Sequence, residues 1–181
     1  AVIYYEENDM QNAEYFLRKT LEMNPYDIEA YKILTKLQLK ENDFNNAIEN
    51  CVKSIVGVQF RNCATIGGSI FSRFGFSDIL IALLSLDTYV ELFNGGIIPL
   101  TKYRDMPYDN DILVRIIIKK DNRKTAYLTH RNSATDIPTL AVAISRLDNK
   151  WNIVIGARPQ KAMNVNATEI LSEVPTQKEI D

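Results

Sequence analysis

The sequence predicts an α+β fold in which helices come first and a meander of antiparallel strands follows. Apolar residues recur at three-to-four spacing through the first third of the chain, which is typical of amphipathic helices. The remainder contains short runs rich in valine, isoleucine, threonine and tyrosine between turn signals, which is typical of strands. With 181 residues, 46% of them hydrophobic and 24% charged, the chain can bury its own core in one or two domains.

The predicted helical segment contains an internal repeat. Residues 7–13 read ENDMQNA and residues 41–47 read ENDFNNA, and their offset of 34 is the period of the tetratricopeptide repeat. Residues 1–55 therefore resemble about one and a half such repeats, folded as helical hairpins. Because a continuous repeat core normally needs about three repeats, two interpretations stay open. The segment either presents a peptide-binding groove or consists of three helices that simply pack.

Local signals predict where these helices begin and end. Pro25 ends the first helix, since proline cannot continue the helical hydrogen-bond pattern. Asp27 is the expected N-cap of a helix over residues 28–40. A turn at residues 42–43 then leads into a helix over residues 44–55.

Beyond residue 55 the sequence predicts two helices and five strands. One helix spans residues 78–86 with Asp78 as its cap, and a short helix is expected over residues 166–173. The strand-like runs are, in chain order, TYVELF, DILVRIIIK, TAYLTH, TLAVAISRL and WNIVIGAR. Turn signals lie between them at residues 94–96, 121–122 and 148–150.

Charge and cysteine content argue against several kinds of site. A formal net charge of -2 offers no basic face for nucleic acid. No apolar run approaches the roughly 20 residues of a membrane helix. Cys51 and Cys63 form no C-x-x-C pair, so neither a metal site nor a disulfide is predicted, and the expected setting is reduced and cytoplasmic. His130 is expected at the surface or in packing, and Trp151 in the core.

Five motifs between residues 57 and 162 resemble one enzyme family in the right order. They are VQFRNCATIGGSI, SDILIALLSLDTYVEL, DILVRIII, THRNSATDIPTLAVA and VIGARPQKA. They are similar to motifs of the FAD-binding (flavoprotein) subunit of molybdenum hydroxylases, a family that includes xanthine dehydrogenases and carbon monoxide dehydrogenases. The resemblance implies FAD as cofactor, and molybdopterin and iron–sulphur subunits as partners. It also implies electron transfer from iron–sulphur clusters through FAD to an acceptor such as NAD.

The resemblance also implies a set of cofactor-binding residues. In the family, the loop that matches residues 64–70 wraps the FAD, and bare glycines let backbone N–H groups approach its pyrophosphate closely. An aspartate of the ribityl site matches Asp78, and apolar residues near the adenine or flavin rings match Ile112 and Leu113. The full set is Ala64, Thr65, Gly67, Gly68, Ser69, Ser72, Asp78, Ile112 and Leu113. No residue is expected to act as nucleophile, general base or metal ligand. Arg131 and Arg158 are expected to form ion pairs, which contribute little where they are exposed.

One expected part of the family pattern is absent from the first third of the chain. No glycine-rich loop of the A-G-G-T-D kind occurs in residues 1–55, where the family's first pyrophosphate-binding lobe would lie. The sequence is therefore interpreted as three parts: a tetratricopeptide-like segment over residues 1–55, the second half of an FAD-binding domain over residues 56–104, and a truncated C-terminal α+β domain over residues 105–181. On this view the chain, which has no initiator methionine, is a fragment or chimera of a xanthine dehydrogenase-like flavin subunit. The alternative is a non-enzymatic, tetratricopeptide-type module for protein–protein interaction, on an α+β scaffold that has lost FAD binding.

Overall fold

The computed structural model describes residues 10–24, 27, 29–30, 33–34, 44–53, 55, 57–134, 136–158, 160–172, 175–176 and 179. Two predictions fall largely beyond this part of the chain. The turn at residues 42–43 and most of the helix predicted over residues 28–40 lie outside the described residues.

Helices occupy the first part of the described chain and strands the second. The helices are α1 (Met10–Met23), α2 (Phe44–Lys53), α3 (Val58–Cys63), α4 (Ile66–Phe71), α5 (Asp78–Ser85) and α6 (Leu100–Asp105). The strands are β1 (Thr88–Leu92), β2 (Gly96–Pro99), β3 (Leu113–Ile118), β4 (Lys124–His130), β5 (Leu140–Leu147), β6 (Lys150–Gly156) and β7 (Met163–Asn166). This mixture of helices and antiparallel sheets confirms the predicted α+β class.

The first helices bury a narrow apolar face, as their spacing predicts. Ala13 and Leu17 of α1 pack with Ala30 and Leu34 in a small buried cluster, and Leu128 of β4 lies against it. Asp27 caps the segment that contains Ala30, since its Oδ1 accepts the Ala30 N–H at 3.0 Å. The cap predicted from the sequence is therefore present.

Helix α2 belongs to the main core of the molecule. Ala47 and Cys51 are almost completely buried and share one cluster with the residues of α5 and both sheets. The helix ends at Lys53, two residues before the predicted end. This packing joins the predicted repeat segment to the predicted flavin-binding part through one continuous core.

Helix α5 is the centre of that core. All but one of its eight residues are buried, because DILIALLS is apolar around its whole circumference. Its N-cap is Ser77, whose hydroxyl accepts the Leu80 N–H at 3.3 Å. The prediction that Asp78 is the cap was therefore wrong by one residue, since the serine takes the capping role and Asp78 becomes the first helical residue.

Two antiparallel sheets surround α5. The first has the order β2-β1-β3, and Val90 of its central strand faces Ile98 and Ile116. The second is the predicted meander, β4-β5-β6-β7, in which Ala143 faces Tyr127 and Val154. The five predicted strand runs correspond to β1, β3, β4, β5 and β6.

The end of β6 lies against the turn that precedes α5. Ala157 donates its N–H to the Gly75 carbonyl at 2.6 Å. A Cβ on Gly156 would stand 2.2 Å from Ile81 Cδ1 and 2.4 Å from that same carbonyl oxygen. Glycine is required here because the backbone of the meander approaches the turn and α5 this closely.

Two further local predictions were wrong, and two strands were missed. The loop expected over residues 64–70 contains the short helix α4. The helix expected over residues 166–173 is not formed in its described part, where β7 ends at Asn166 and a turn follows at residues 168–170. Strands β2 and β7 were not predicted, because both have only four residues and mostly exposed side chains.

Candidate functional site

A cavity of about 670 Å³ opens between α3, α4, the turn before α5 and the loop after β4. Its size lies within the range of about 300–1,000 Å³ that is usual for sites of small molecules and cofactors. Its lining residues are Ile55, Phe60, Ala64, Thr65, Gly68, Ser69, Ser72, Phe74, Phe76, Ser77, Asp78, Ile79, Arg131, Asp136, Ile137 and Pro138.

One wall of the cavity is the start of α4. Thr65 is the N-cap of this helix, and its Oγ1 accepts the Gly68 N–H at 3.0 Å. Helical geometry leaves the N–H groups of Ile66 and Gly67 without an acceptor inside the helix. This wall therefore presents hydroxyl groups and backbone donors at its edge.

The two adjacent glycines of α4 have different surroundings. Gly68 lines the cavity, and a Cβ there would stand 3.1 Å from Thr65 Oγ1. Gly67 is turned away from it, and a Cβ there would make an ordinary contact of 4.0 Å with Leu113 Cδ2. Of these two glycines, only Gly68 would crowd the cavity wall if it carried a side chain.

Ser69 and Ser72 continue this wall along α4. The Ser72 hydroxyl donates to the Ser69 carbonyl at 3.1 Å, and Ser77 Oγ donates to the same carbonyl at 3.4 Å. These bonds join the end of α4 to the start of α5. They hold the turn between the two helices against the cavity.

The floor of the cavity carries a buried ion pair. Asp78 Oδ1 accepts from Arg131 Nη2 at 2.6 Å and from the Tyr127 hydroxyl at 2.5 Å. The side chains of Asp78 and Arg131 are each 9% exposed. Arg131 also donates through Nη1 to the Asp136 carbonyl, which fixes the loop that forms the far wall. One carboxylate oxygen thus anchors β4 and the loop after it to the start of α5.

The ion pair affects two neighbouring acidic groups. Burial, followed by the charge of Asp78, raises the pKa of Tyr127 well above its usual value. The same two causes raise the pKa of Cys51 to about 12. Both groups are therefore neutral near pH 7, and the Cys51 thiol is an inert core group that donates to the Ile48 carbonyl at 3.0 Å.

Aromatic side chains form the mouth of the cavity. Phe74 and Phe76 stack with their ring centroids 5.0 Å apart and their planes at 11°. Both rings are exposed, at 53% and 39%, and the exposed Phe60 and Ile137 also line the cavity. An apolar mouth over a polar floor suits a planar ring system with a hydrophilic tail.

The structure brings most of the predicted cofactor-binding residues to this cavity. Six of the nine line it, and these are Ala64, Thr65, Gly68, Ser69, Ser72 and Asp78. Gly67 stands behind the wall and touches Leu113. Ile112 is 65% exposed at the start of the strand segment and does not line the cavity, and neither does Leu113. The roles of all nine toward a cofactor stay predictions.

Sequence reasoning missed Tyr127 and underrated Arg131. Arg131 was expected to form an ion pair of little value, whereas its pair with Asp78 is buried. The two partners stand 49 and 53 positions from Asp78, so no spacing rule relates them. The THRNSATDIPTLAVA motif was the available signal, since Arg131 lies within it.

Two other features are absent from the described part of the chain. There, no group of three or more histidine, cysteine, aspartate or glutamate side chains could hold a metal ion. No helix there is long and apolar enough to cross a membrane.

Several known structures share this fold. Carbon monoxide dehydrogenase from Hydrogenophaga pseudoflava, in a form that lacks the Mo-pyranopterin moiety of the molybdenum cofactor, matches 78% of this chain with a TM-score of 0.65 and 17% identity. Quinoline 2-oxidoreductase from Pseudomonas putida 86 matches 86% of it with a TM-score of 0.62 and 15% identity. Reconstituted CO dehydrogenase from Oligotropha carboxidovorans matches 70% with a TM-score of 0.54 and 20% identity.

The chain spans about half the length of these structural relatives. The matched regions cover 55%, 55% and 49% of their chains, in the same order. A comparison by sequence with curated proteins finds no match.

A family model identifies the sequence more directly. The model of the FAD binding domain in molybdopterin dehydrogenase matches residues 19–120. The match begins inside α1 and crosses residue 55 without a break, and the tetratricopeptide interpretation finds no support in the comparisons. More than half of the chain fits the model, and it includes most of the residues that line the cavity. The chain therefore belongs to the family of FAD-binding domains of molybdopterin dehydrogenases.

Proposed function

We propose that this chain binds FAD in the cavity above Asp78, as part of the flavin subunit of a molybdenum hydroxylase. The observation that carries the proposal is the cavity itself, because it joins the Thr65–Gly68 wall to a buried Asp78–Arg131 pair. The Thr65–Gly68 wall and Asp78 lie within residues 19–120, the part of the chain that matches the family model. The family match supports FAD as the cofactor class.

The described residues fit parts of such a cofactor. Thr65 and Gly68 offer a hydroxyl and closely approachable backbone at one wall. Both hydrogen bonds that described residues donate to the Asp78 side chain end on Oδ1, so its Oδ2 is available to accept from a ribityl hydroxyl. The stacked Phe74 and Phe76 offer aromatic faces at the mouth of the cavity, where ring systems pack well. The roles of Ile112 and Leu113 near the rings belong to the same proposal.

FAD, when bound, would supply the redox chemistry by accepting electrons and passing them on. The protein contributes binding and orientation: Asp78 holds the polar tail, while the apolar mouth limits access of water to the ring system. Near pH 7 the neighbouring Tyr127 and Cys51 stay protonated and carry no charge.

The place of the chain in an electron-transfer sequence is part of the same proposal. Structural relatives include carbon monoxide dehydrogenases and a quinoline 2-oxidoreductase. By analogy with the family, electrons would arrive from iron–sulphur clusters and leave to an acceptor such as NAD, within a complex that also holds a molybdopterin subunit. Xanthine dehydrogenase-like chemistry is one specific form of this proposal.

A matched pair of glycine variants tests FAD binding. The whole chain is titrated with FAD, and binding is followed by quenching of flavin fluorescence. Gly68→Ala places a methyl group 3.1 Å from Thr65 Oγ1 at the cavity wall and should weaken binding about tenfold, equivalent to one hydrogen bond of about 1.4 kcal/mol. Gly67→Ala meets only an ordinary contact and should bind FAD like the wild type.

The outcome of this titration decides the proposal. Quenching by the wild type in the micromolar range, together with selective weakening in Gly68→Ala, supports it. Absence of quenching at tens of micromolar FAD would reject cofactor binding while leaving the family membership intact. Unchanged binding in both glycine variants would place FAD elsewhere than against this wall.

No contact among the described residues supports a peptide-binding role for the helical segment. The buried faces of α1 and α2 are occupied by packing, the first with Ala30 and Leu34 and the second within the main core.

A further inference from the structure

Arg73 is a buried cation outside the cavity. It follows α4, is 7% exposed, and has the left-handed φ of 51°, a conformation that few residues other than glycine adopt. Strained backbone of this kind is concentrated at functional sites. No ion pair to Arg73 occurs among the described residues, so its charge lacks a carboxylate partner there.

One nitrogen of the Arg73 guanidinium donates a hydrogen bond, and the other two have no acceptor within the described structure. Nη1 donates to the Met106 carbonyl at 2.7 Å. Nε and Nη2 are buried and have no hydrogen-bond partner within the described structure. These two nitrogens form the side-on edge of the group, whose parallel N–H bonds match two oxygens of one carboxylate or phosphate. The two unpaired donors therefore lie side by side and could bind both oxygens of one anionic group.

Two tyrosine rings cover the faces of the same guanidinium. Its Cζ lies 4.1 Å from the centroid of Tyr103 and 4.8 Å from that of Tyr108. Tyr103 is fixed in the core at 1% exposure, whereas Tyr108 is 63% exposed on a segment without regular secondary structure. The Tyr108 hydroxyl donates to the Ser72 carbonyl. Tyr108 is therefore an outer cover, held to the chain by one hydrogen bond and ring contacts.

We propose that Arg73 is an oxyanion-binding site that Tyr108 covers in the absence of ligand. A phosphate or carboxylate group would pair with Nε and Nη2, supplying both the missing charge and the missing acceptors. The tyrosine rings stabilise the cation by cation–π interaction but accept no hydrogen bond at that edge. The anion would lie in the plane of the guanidinium, at its Nε–Nη2 edge. Movement of the exposed Tyr108 would admit it to that edge, while Tyr103 and the Met106 carbonyl keep the guanidinium in position.

The site is distinct from the proposed FAD cavity. Arg73, Tyr103 and Tyr108 do not line that cavity, although Ser72 and Phe74 beside Arg73 do. The proposal therefore stands or falls independently of FAD binding.

Arginine side-chain NMR on the ¹⁵N-labelled whole chain tests the site without FAD. Inorganic phosphate and acetate are titrated separately at constant ionic strength, because salt also screens charges and phosphate stabilises proteins by exclusion. The Nε–H resonance of Arg73, assigned from its loss in Arg73→Lys, should move downfield and saturate. A dissociation constant on the order of 1 mM is expected for a single exchangeable oxyanion.

Three variants sharpen the titration. Arg73→Lys keeps the positive charge but loses the two parallel N–H donors, so it should weaken anion binding about tenfold or more. Binding by this variant is measured from the anion-dependent shift of its melting temperature. Arg158→Lys, the same change at an exposed arginine, should behave like the wild type. Tyr108→Ala removes the cover and should bind the oxyanion at least as tightly as the wild type. This last variant provides the test if Arg73→Lys does not fold.

Saturable movement of the Arg73 resonance with either anion supports the proposal, and the anion that acts shows whether the source is a phosphate or a carboxylate. If neither anion moves the resonance in the wild type or in Tyr108→Ala, the proposal is overturned. Equal anion-dependent shifts of melting temperature in the wild type, Arg73→Lys and Arg158→Lys, without resonance movement, would also overturn it, since they report solvent exclusion alone.

Discussion

Replacing Asp78 by alanine should be among the most destabilising single changes at the cavity. The substitution leaves the Arg131 charge and the Tyr127 hydroxyl buried without their shared acceptor. Removing one partner of a buried pair costs about 3–5 kcal/mol, because the remaining charge is uncompensated. For a chain of this size 1 kcal/mol shifts the melting temperature by roughly 2–4 °C, so a fall of about 10 °C is expected.

The assay is denaturant unfolding at pH 7, followed by circular dichroism. Asp87→Ala is the matched control, because its ion pair with Lys119 is surface-exposed, at 37% and 59%, and should contribute about 0–1 kcal/mol. The double variant Asp78→Ala/Arg131→Met should recover part of the loss, since it removes both charges together. A coupling free energy above about 1 kcal/mol is expected between the two positions.

Either of two results would contradict a strong interaction between Asp78 and Arg131. One is an Asp78→Ala cost no larger than that of Asp87→Ala. The other is strict additivity of Asp78→Ala and Arg131→Met, which would mean that the two side chains do not interact in solution.

Three further predictions concern pH and packing. Burial raises the pKa of Cys51 from 9.0 to about 12, so the stabilisation that the protonated thiol contributes is fully present below pH 9. Above pH 9 the free energy of unfolding should fall by about 1.4 kcal/mol per pH unit. Between pH 8 and 10.5, Cys51→Ala should therefore lose less stability than the wild type, as measured by urea unfolding. Hydrogen bonds, first of all from the Asn94 backbone N–H, lower the pKa of Asp111. The ionised Asp111 carboxylate therefore stabilises the folded chain above pH 3.8, and this contribution is lost on acidification. Asp111→Asn should lower the melting temperature at pH 7, and a difference that persists unchanged at pH 2 would contradict this. Gly156→Ala should cost about 1–3 kcal/mol through overpacking against Ile81, and calorimetry showing an unchanged melting temperature would refute the close approach.

The strands could be predicted because their signal is local. In β1, buried and half-buried residues alternate along TYVEL, and such alternation is visible in the sequence alone. Helix α4 was missed because its two glycines have low helix propensity, although the Thr65 cap was a signal in favour of it. The cap of α5 was misplaced by one position, since Ser77 and Asp78 are both good capping residues.

The candidate site also has one part that the sequence could predict and one part that it could not. The wall from Ala64 to Ser72 is one continuous segment, and the resemblance of its motif to a family located it. The floor joins Asp78 to Tyr127 and Arg131 from a distant strand and loop. Composition and spacing carry no information about such a contact, because it depends on how β4 packs against α5.

The contact of β6 with the turn before α5 bears on how the cavity forms during folding. The Gly75 carbonyl receives the Ala157 N–H, and Gly156 lies against Ile81. The turn beside the cavity is thus hydrogen-bonded to the end of β6, about eighty residues later in the sequence. The binding-competent shape is a late, non-local product of folding, and a nascent chain would not display it until β6 had been synthesised and docked.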